Sequence, residues 1–178
     1  MLKAEQFVLR TVTENDLPAM LTHLNNLENK GDYYPRSLRS EVRLRKLFEE
    51  DGMWAQNEGV LLIVDDNDAI LGHIEFFQPV HYLNAYEISY LIYDVAARGK
   101  GIATEALAVL VRFLFDTKLI NRIQLIIHPD NAASRRVADK CGFVHEATLR
   151  GAWFNYGTHH DVEVYSVLRH EIFGDSAE

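Results

Sequence analysis

The stretch "ARGKGIATEAL" (residues 97–107) places two glycines and two cations between a strand-like segment and a run of strong helix formers. The first residues of a helix leave backbone N–H groups without intrahelical acceptors, and those groups lie at the positive end of the helix dipole. Glycine has no Cβ, so a ligand can approach its backbone closely. The stretch therefore predicts either a tight turn or a cradle for a phosphorylated ligand.

Two common phosphate-binding patterns do not fit this stretch. The Walker pattern G-x-x-x-x-G-K-[ST] is missing from the sequence, and the dinucleotide fingerprint needs glycine or alanine where the chain has Thr104. The pattern that does fit is [QR]-x-x-G-x-[GA], with Arg98, Gly101 and Ala103 at its fixed positions.

Strand and helix patterns alternate on both sides of the loop, which indicates a mixed α/β fold. Strands are predicted at residues 7–12, 59–65, 70–80, 85–95, 122–128, 143–154 and 159–169. An apolar stripe from Ala103 to Phe115 predicts one long helix, and Asn131 begins a shorter helix that Gly142 closes. The order predicts an antiparallel front half and one strand–helix–strand crossover.

Two further helices are predicted between the first two strands. The first follows Thr13, a capping residue with Asp16 three positions later, and it tolerates Pro18 only in its first turn. The second has a predicted apolar face made of Leu38, Val42, Leu47 and Phe48. Leu44 lies off this stripe.

Composition limits the class of protein. The 178 residues predict one domain, residues 1–178 with a core of about 7–170, because no repeat or linker interrupts the chain. No apolar run approaches the roughly 20 residues that span a bilayer, and no secretory signal precedes the first strand. We therefore expect a cytoplasmic protein without a membrane partner. The single cysteine, Cys141, excludes a disulfide framework and a cysteine-rich zinc site.

The formal net charge is −8 at pH 7. A general nucleic-acid binder usually carries a basic face, so nucleic acid is not an expected partner. The acidity is compatible with a cationic substrate such as an amine, although a modest negative charge also simply keeps a protein soluble.

A second motif lies downstream of the glycine loop. "NAASRRVADKCGF" (residues 131–143) fits N-x-x-[SA]-x-x-[VL]-x-x-[KR]-x-G-F. Together with the loop and the order of elements, it resembles the GNAT N-acetyltransferases over residues 7–170. The segment from residue 143 onward resembles the C-terminal hairpin of the branch that acetylates ribosomal-protein N-termini. The resemblance implies the GNAT acyl-CoA N-acyltransferase fold, a mixed and mostly antiparallel sheet flanked by helices, with acetyl-CoA as co-substrate.

The resemblance also implies which residues bind coenzyme A. Asn131 is expected to contact the pantetheine arm, although it can equally serve as a helix N-cap. The backbone N–H of Leu91 or Ile92 is the expected donor to the oxyanion that develops during transfer. The diphosphate is expected to bind the loop residues Arg98, Gly99, Lys100, Gly101, Ile102 and Ala103.

Two side chains are candidates for proton transfer. Many family members carry a tyrosine acid where this sequence has Ala138. Ser134 matches a serine of the ribosomal branch and is expected to contact the cofactor and act as the acid; otherwise it is a helix-surface serine. Glu87 resembles the strand glutamate of many members and is the candidate base, acting through water; otherwise it faces solvent. Trp153 replaces the hairpin glutamate that serves as base in some relatives.

Aromatic residues in two segments are candidates for the acceptor site. Tyr33 and Tyr34 lie between the first two helices, and Trp153 and Tyr156 lie in the hairpin. Such clusters can equally belong to the core. The resemblance implies a protein N-terminus, a polyamine or another small amine as acceptor, and the sequence does not choose among them.

Histidines raise the possibility of a metal site. His73 and Glu75 share one strand face, and His159, His160 and Asp161 adjoin one another. Adjacent strand residues point to opposite faces, and no cysteine cluster or H-x-x-x-H helix is present, so no metal is expected. Asp161 is expected to make a structural hydrogen bond or to line the acceptor cleft.

Two functions remain open from the sequence. The first is acetyl-CoA-dependent N-acetylation by direct attack in a ternary complex, which needs no nucleophile; a route through Cys141 is less favoured because this residue fits a small buried hydrophobe. The alternative is a non-catalytic acyl-CoA-binding sensor or partner module. The sequence is compatible with a monomer or a homodimer.

Overall fold

The computed structural model describes residues 1–174 of the chain. Eight strands form one sheet: β1 (Leu2–Lys3), β2 (Val8–Thr11), β3 (Glu58–Val64), β4 (Ile70–Phe77), β5 (Ala85–Ile92), β6 (Arg122–Ile127), β7 (Val144–Asn155) and β8 (Thr158–Leu168). Their order is β1-β2-β3-β4-β5-β6-β8-β7. Across this described sheet β5 and β6 alone pair in parallel, which confirms the predicted mixed, mostly antiparallel fold.

Helices flank the sheet at α1 (Leu17–Asn25), α2 (Leu27–Lys30), α3 (Glu41–Asp51), α4 (Ile102–Thr117), α5 (Ala132–Lys140) and α6 (Arg169–Phe173). Helix α4 forms the crossover between the parallel strands β5 and β6, as the sequence predicts. Within residues 1–174, no helix is both long and apolar enough to cross a membrane.

The sheet separates two apolar clusters. The larger lies against α4, whose buried face consists of Ala106, Leu107, Leu110, Val111, Leu114 and Phe115. The smaller lies on the other face, where Met20 from α1 and Leu44 from α3 pack with Leu62 and Val64 of β3. Each fully buried side chain of this kind contributes about 1.5–3 kcal/mol by leaving water, so α4 and the two N-terminal helices fix the sheet between them.

The predicted capping box is confirmed in a 3₁₀ turn, Glu14–Asp16, that leads directly into α1. The Thr13 backbone N–H donates to Asp16 Oδ2 at 2.7 Å, and Pro18 occupies the first turn. Arg10 adds two hydrogen bonds to the same carboxylate, at 2.7 and 2.9 Å. The Arg10 hydrogen bond is the largest of the causes that lower the pKa of Asp16 to about 2, so the pair stays ionised.

The predicted apolar face of α3 is wrong except at Phe48, which packs against the smaller cluster. The helix begins at Glu41 after the Ser40 N-cap, so Leu38 lies outside it, and Val42 is 80% exposed. Leu44 is the buried residue of α3. At 100° per residue, Val42 lies on the side of the helix roughly opposite Leu44, because two positions separate them.

Strand β5 ends earlier than predicted, at Ile92 rather than Val95. Asp94 accepts the Ala96 N–H at 2.8 Å and thereby starts a short 3₁₀ turn over Val95–Ala97. This turn leads the chain from the strand into the glycine loop. The sequence analysis also missed α2, α6 and the two-residue edge strand β1.

Candidate active site

The parallel strands β5 and β6 separate after a short paired segment. They pair at three positions only within the described sheet: Ala85 with Arg122, Tyr86 with Ile123, and Glu87 with Gln124. Strand β5 continues to Ile92 and β6 to Ile127, so the rest of both strands borders a gap. Backbone N–H and C=O groups along this gap have no neighbouring strand; the Ile92 oxygen is bound by the Arg98 side chain, and the other groups can be reached by a ligand.

A cavity of about 1000 Å³ extends along this gap. The glycine loop and α5 line one end, and the segment between α2 and α3 lines the other, together with β7. All residues that the sequence assigned to the site line this cavity except Lys100 and Tyr156. The fold therefore brings the proposed donor and acceptor residues together in one space.

The hydrogen bonds between β4 and β5 determine which backbone N–H groups of β5 face the gap. The Tyr93 backbone N–H donates to the Leu71 oxygen at 2.9 Å. Because successive residues of an antiparallel strand direct their N–H groups to alternate sides, Leu91 directs its N–H toward β4, whereas Tyr90 and Ile92 direct theirs toward β6. Of the two oxyanion donors that the sequence suggested, this geometry favours Ile92 over Leu91.

The glycine loop leaves room for a ligand above its backbone. Gly99 and Gly101 adopt left-handed conformations with φ of 75° and 89°, and a Cβ at either position would meet no atom within 4 Å. The first hydrogen bond of α4 runs from the Glu105 N–H to the Gly101 oxygen at 3.0 Å. The backbone N–H groups of Ile102 and Ala103 therefore have no acceptor within the helix. This arrangement suits an anionic group at the start of the helix.

The guanidinium of Arg98, a residue expected to bind the diphosphate, is occupied by backbone oxygens. It donates to the backbone oxygen of Ile92, at 2.9 and 3.0 Å, and to that of Asn29. The side chain therefore ties the end of β5 to α2. Arg136 and Lys140 of α5 also line the cavity. Neither cation belongs to a fixed position assigned to the site from the sequence, although their spacing of four residues places them on one helix face.

Ser134 lies in the first turn of α5 and lines the cavity. Asn131 Oδ1 accepts the Ser134 backbone N–H at 3.1 Å, so Asn131 is the N-cap of the helix. Both residues line the cavity, and Ser134 is half-buried. Capping and ligand contact are therefore compatible at Asn131.

Tyr90 faces the helix that carries Ser134. Its hydroxyl oxygen is buried and makes no hydrogen bond of good geometry within residues 1–174, whereas the other fully buried side-chain nitrogen and oxygen atoms there all make one. The Ser134 side chain is near enough to interact with it, but at poorer geometry. Burial raises the pKa of Tyr90 to about 12, the Ser134 side chain opposes this increase, and Cys141 adds to it. Tyr90 is not predictable as a site residue from the sequence, because nothing in the strand pattern distinguishes it from a core residue.

Two carboxylates lie beside the gap, on the face of the sheet opposite to Tyr90. Glu87 Oε2 accepts a hydrogen bond from Gln124 Nε2 at 3.0 Å, and burial raises the pKa of Glu87 despite this bond. Glu75 of β4 shares that face, because it pairs with Ser89, two residues beyond Glu87. Burial raises the pKa of Glu75 as well. The sequence analysis noted the strand face of Glu75 but did not assign it to the acceptor site.

Aromatic side chains from three segments meet at the acceptor end. The ring centroid of His128 lies 5.0 Å from that of Tyr33, 5.7 Å from that of Trp153 and 5.2 Å from that of His160. The predicted Tyr33 and Trp153 thus come together through His128. His128 follows directly after β6, and the sequence analysis had no reason to connect it with the hairpin.

The segment between α2 and α3 docks onto the tip of the β7–β8 hairpin. Arg36 donates to the Tyr156 hydroxyl at 2.6 Å, and that hydroxyl donates to Asp32 Oδ1 at 3.3 Å. Asn155 Nδ2 donates to the Asp32 backbone oxygen at 3.1 Å. Tyr156 is 55% exposed and lies outside the cavity lining, so its contacts hold the segment that carries Tyr33.

Tyr34 is held from behind by a buried histidine. Its hydroxyl lies 3.2 Å from His73 Nε2, and His73 Nδ1 lies 2.9 Å from the Tyr93 hydroxyl. Burial lowers the pKa of His73 to about 4, so the imidazole is neutral at pH 7. Each ring nitrogen has a hydroxyl partner, which fixes the wall of the cavity at this point.

Other reactive side chains have structural partners. The Cys141 thiol donates to the Thr104 oxygen at 3.3 Å, and burial raises its pKa to about 11, so it is a thiol rather than a nucleophilic thiolate at pH 7. Asp161 Oδ1 accepts the Gly151 N–H at 2.8 Å, a structural bond in the hairpin. Among residues 1–174, no group of three histidine, cysteine or carboxylate side chains could hold a metal ion.

Comparison with known proteins identifies the family. Residues 6–144 match the sequence model of the acetyltransferase (GNAT) domain. The chain belongs to the GNAT acetyltransferases. This GNAT chain is 26% identical over 171 residues to the uncharacterized N-acetyltransferase YoaA of Bacillus subtilis (strain 168), and the match covers 94% of this chain and 96% of that protein. It is 27% identical over 134 residues to the ribosomal-protein-serine acetyltransferase of Escherichia coli (strain K12), covering 75% and 74%.

Solved structures share the GNAT fold over nearly the whole chain. The spermidine N-acetyltransferase of Vibrio cholerae, solved with CoA and spermine, superimposes with a TM-score of 0.84 at 21% identity, covering 96% of this chain and 99% of that one. RimL, a ribosomal L7/L12 alpha-N-protein acetyltransferase solved with coenzyme A, gives 0.78 at 24% identity, covering 93% and 95%. The predicted family and fold are confirmed: this GNAT protein is an N-acetyltransferase with acetyl-CoA as co-substrate.

Proposed function

We propose that this GNAT enzyme transfers the acetyl group of acetyl-CoA to a primary amine of a small cationic substrate, by direct attack in a ternary complex. One observation carries the proposal: the cavity joins the glycine loop to Glu75 and Glu87 through the gap between β5 and β6. A thioester bound from the loop side and an amine bound from the carboxylate side can meet in that gap. No covalent enzyme intermediate is then needed.

The loop end of the cavity suits the diphosphate of coenzyme A. The space above Gly99 and Gly101 is open, and the first amides of α4 lack intrahelical acceptors. Arg136 and Lys140 add positive charge to the lining. Asn131 lines the same cavity, which supports its assignment to the amide groups of the pantetheine arm.

The acceptor end suits an amine that enters as a cation. Glu75 and Glu87 supply negative charge, and the rings of Tyr33 and Trp153 supply faces that attract cations. A polyamine presents amines at both ends, so one amine can react while another stays protonated near Asp32 at the rim. We therefore favour a polyamine over a protein N-terminus, although both kinds of enzyme occur among the relatives.

Three groups of this chain divide the work of the transfer. Glu87 takes a proton from the attacking amine through water, and its burial brings its pKa closer to neutral pH. The Ile92 backbone N–H stabilises the oxyanion that develops on the acetyl oxygen. Ser134 donates a proton to the departing sulfur and recovers one from water.

An acceptor screen tests the proposal. The protein is mixed with acetyl-CoA and with spermidine, spermine, simple diamines, a monoamine, or peptides with a free N-terminus, and released CoA is measured with a thiol reagent. We expect release that depends on the polyamines. Release with peptides alone would assign the enzyme to protein N-termini. Binding of acetyl-CoA without release from any amine would support the non-catalytic acyl-CoA-binding module and contradict the proposal.

A further inference from the structure

Tyr90 combines a buried position with a hydroxyl that makes no hydrogen bond of good geometry in residues 1–174, although Ser134 lies near enough to interact with it. A buried polar group without a hydrogen bond destabilises a fold, which is why most such groups in folded proteins are paired. Tyr90 lines the cavity, so a ligand can supply the missing partner. The unpaired hydroxyl therefore marks a position where the empty fold is less stable and the occupied site gains a contact.

The location of Tyr90 relates it to the leaving group rather than to the acceptor. It lies on β5 beyond Glu87, the last residue of β5 that pairs with β6. Its side chain packs on the face that contains Ile88 and Ile92, toward α4 and α5, whereas Glu87 faces the other side of the sheet. On its own face Tyr90 lies close enough to Ser134 for the two side chains to interact.

We propose that the Tyr90 hydroxyl donates a hydrogen bond to the sulfur atom of the acetyl donor and stabilises the thiolate as it leaves, beside Ser134. This inference rests on the acetyl transfer proposed above and adds a catalytic residue to it.

The chemistry of sulfur makes this contact selective for the transition state. A thioester sulfur is a weak hydrogen-bond acceptor, whereas a thiolate is charged and forms hydrogen bonds about twice as strong as neutral ones. The contact therefore strengthens as the carbon–sulfur bond breaks, and it raises kcat more than substrate affinity.

The protons and electrons balance without an additional reactant. The acceptor nitrogen, which has first released its ammonium proton to solvent, forms the new bond to the acetyl carbon and passes a second proton through water to Glu87. The sulfur takes the electron pair of the broken carbon–sulfur bond and then a proton from Ser134. Water reprotonates Ser134, and the hydroxide that remains takes the proton held by Glu87. Tyr90 keeps its own proton throughout and acts only as a hydrogen-bond donor.

The first experiment compares Tyr90→Phe with Tyr86→Phe. Both residues lie on β5 and on the same face of that strand. The Tyr86 hydroxyl, however, already donates a hydrogen bond to the Gln56 backbone oxygen at 3.2 Å. With an amine that supports turnover, we expect Tyr90→Phe to lower kcat about 10- to 100-fold with little change in KM, and Tyr86→Phe to change kcat less than about twofold. An unchanged kcat in Tyr90→Phe, with active wild-type protein, would overturn the inference but not the proposed function.

A second readout does not depend on finding the acceptor. The thiol pKa of bound CoA is measured from the ultraviolet absorbance of the thiolate. Because a donor beside the sulfur favours the charged form, we expect this pKa to be higher in the Tyr90→Phe complex than in the wild-type and Tyr86→Phe complexes. Equal thiol pKa values would mean that the Tyr90 hydroxyl does not contact the sulfur, and would overturn the inference even if no amine is acetylated.

The Tm of the ligand-free protein distinguishes a catalytic role of Tyr90 from a structural one. Removing a buried hydroxyl that makes no hydrogen bond of good geometry leaves the contacts of the ring in place, so we expect the Tm of the ligand-free Tyr90→Phe protein to equal or exceed that of the wild type. A clear fall in Tm, together with reduced activity, would identify Tyr90 as a structural residue paired through a bound water, and would contradict the inference.

Discussion

The carboxylate of Glu87 and the side-chain amide of Gln124 lie 3.0 Å apart at the last position where β5 and β6 pair. The hydrogen bond therefore holds the candidate base at the point where the sheet opens. Gln124 fixes the orientation of the carboxylate, while burial keeps its pKa above the usual value for glutamate. This pair connects the geometry of the gap to the proposed proton transfer.

Replacing Glu87 by Gln should remove the base with little change in shape. We expect kcat/KM to fall about 100-fold. Because the Glu87 pKa is raised, wild-type activity should be present above that pKa and decline as the pH falls through it, at a higher pH than an ordinary glutamate would give. Glu87→Gln should lose this acidic limb of the pH profile. Glu49→Gln, on the exposed surface of α3, serves as control; an unchanged acidic limb in Glu87→Gln would assign the base elsewhere.

Replacing Ser134 by Ala should impair protonation of the leaving sulfur without disturbing helix α5. The helix cap persists, because Asn131 binds the backbone N–H of residue 134 rather than its side chain. We expect kcat to fall about 10- to 100-fold with little change in acetyl-CoA affinity, measured by calorimetry and steady-state kinetics. Ser134→Thr, which keeps a hydroxyl, should recover part of the rate. If Ser134→Ala retains full kcat, the proton comes from water instead.

Replacing Gly101 by Val should weaken coenzyme A binding. The new Cβ would enter the open space above the loop, where we place the diphosphate, and φ of 89° also strains a branched residue. Gly52→Val is the matched control, since Gly52 has φ of 69°, open surroundings and no place in the cavity. Both variants should lose stability, but only Gly101→Val should weaken CoA binding, by about tenfold or more, equivalent to about 1.4 kcal/mol. Equal affinities would contradict the phosphate-cradle interpretation.

Acidification should lower the stability of the folded protein through His73, the buried histidine next to Tyr34. Unfolded histidine binds a proton below about pH 6.5, but His73 in the folded chain does so only near pH 4. The unfolded state thus binds more protons as the pH falls through this interval, so stability is lost on acidification. We expect His73 to contribute about 2 kcal/mol of this loss between about pH 7 and about pH 5. Urea unfolding of wild type and His73→Gln measures it, and parallel pH dependences would show that His73 titrates normally.

Most of the architecture was predictable from local pattern. The stripe from Ala103 to Phe115 specifies α4, because six of its residues are fully buried on one face. The α3 prediction was wrong for a physical reason: the helix carries mostly charged residues, so a few apolar side chains could be assigned to the wrong face. Leu44 is buried because the sheet lies on its side of the helix, and the helix sequence alone does not reveal where the sheet lies.

The site was predictable where a motif fixes it and unpredictable where strands bring residues together. The glycine loop, Asn131 and Ser134 follow from two short motifs, and they line one cavity. Tyr90 and Glu75 could not be found this way. Their significance depends on the register of β4 and β5 and on the gap beside β6, which are properties of the assembled sheet.

The short pairing of β5 with β6 has a consequence for the lifetime of the protein. Three residue pairs join β1–β5 to the remaining strands across the described sheet, so this joint has few hydrogen bonds of its own. A ligand that binds only the folded state at about 100 times its Kd adds about 2.7 kcal/mol of stability. An acetyl donor bound across the joint should therefore protect the folded chain from local opening and proteolysis.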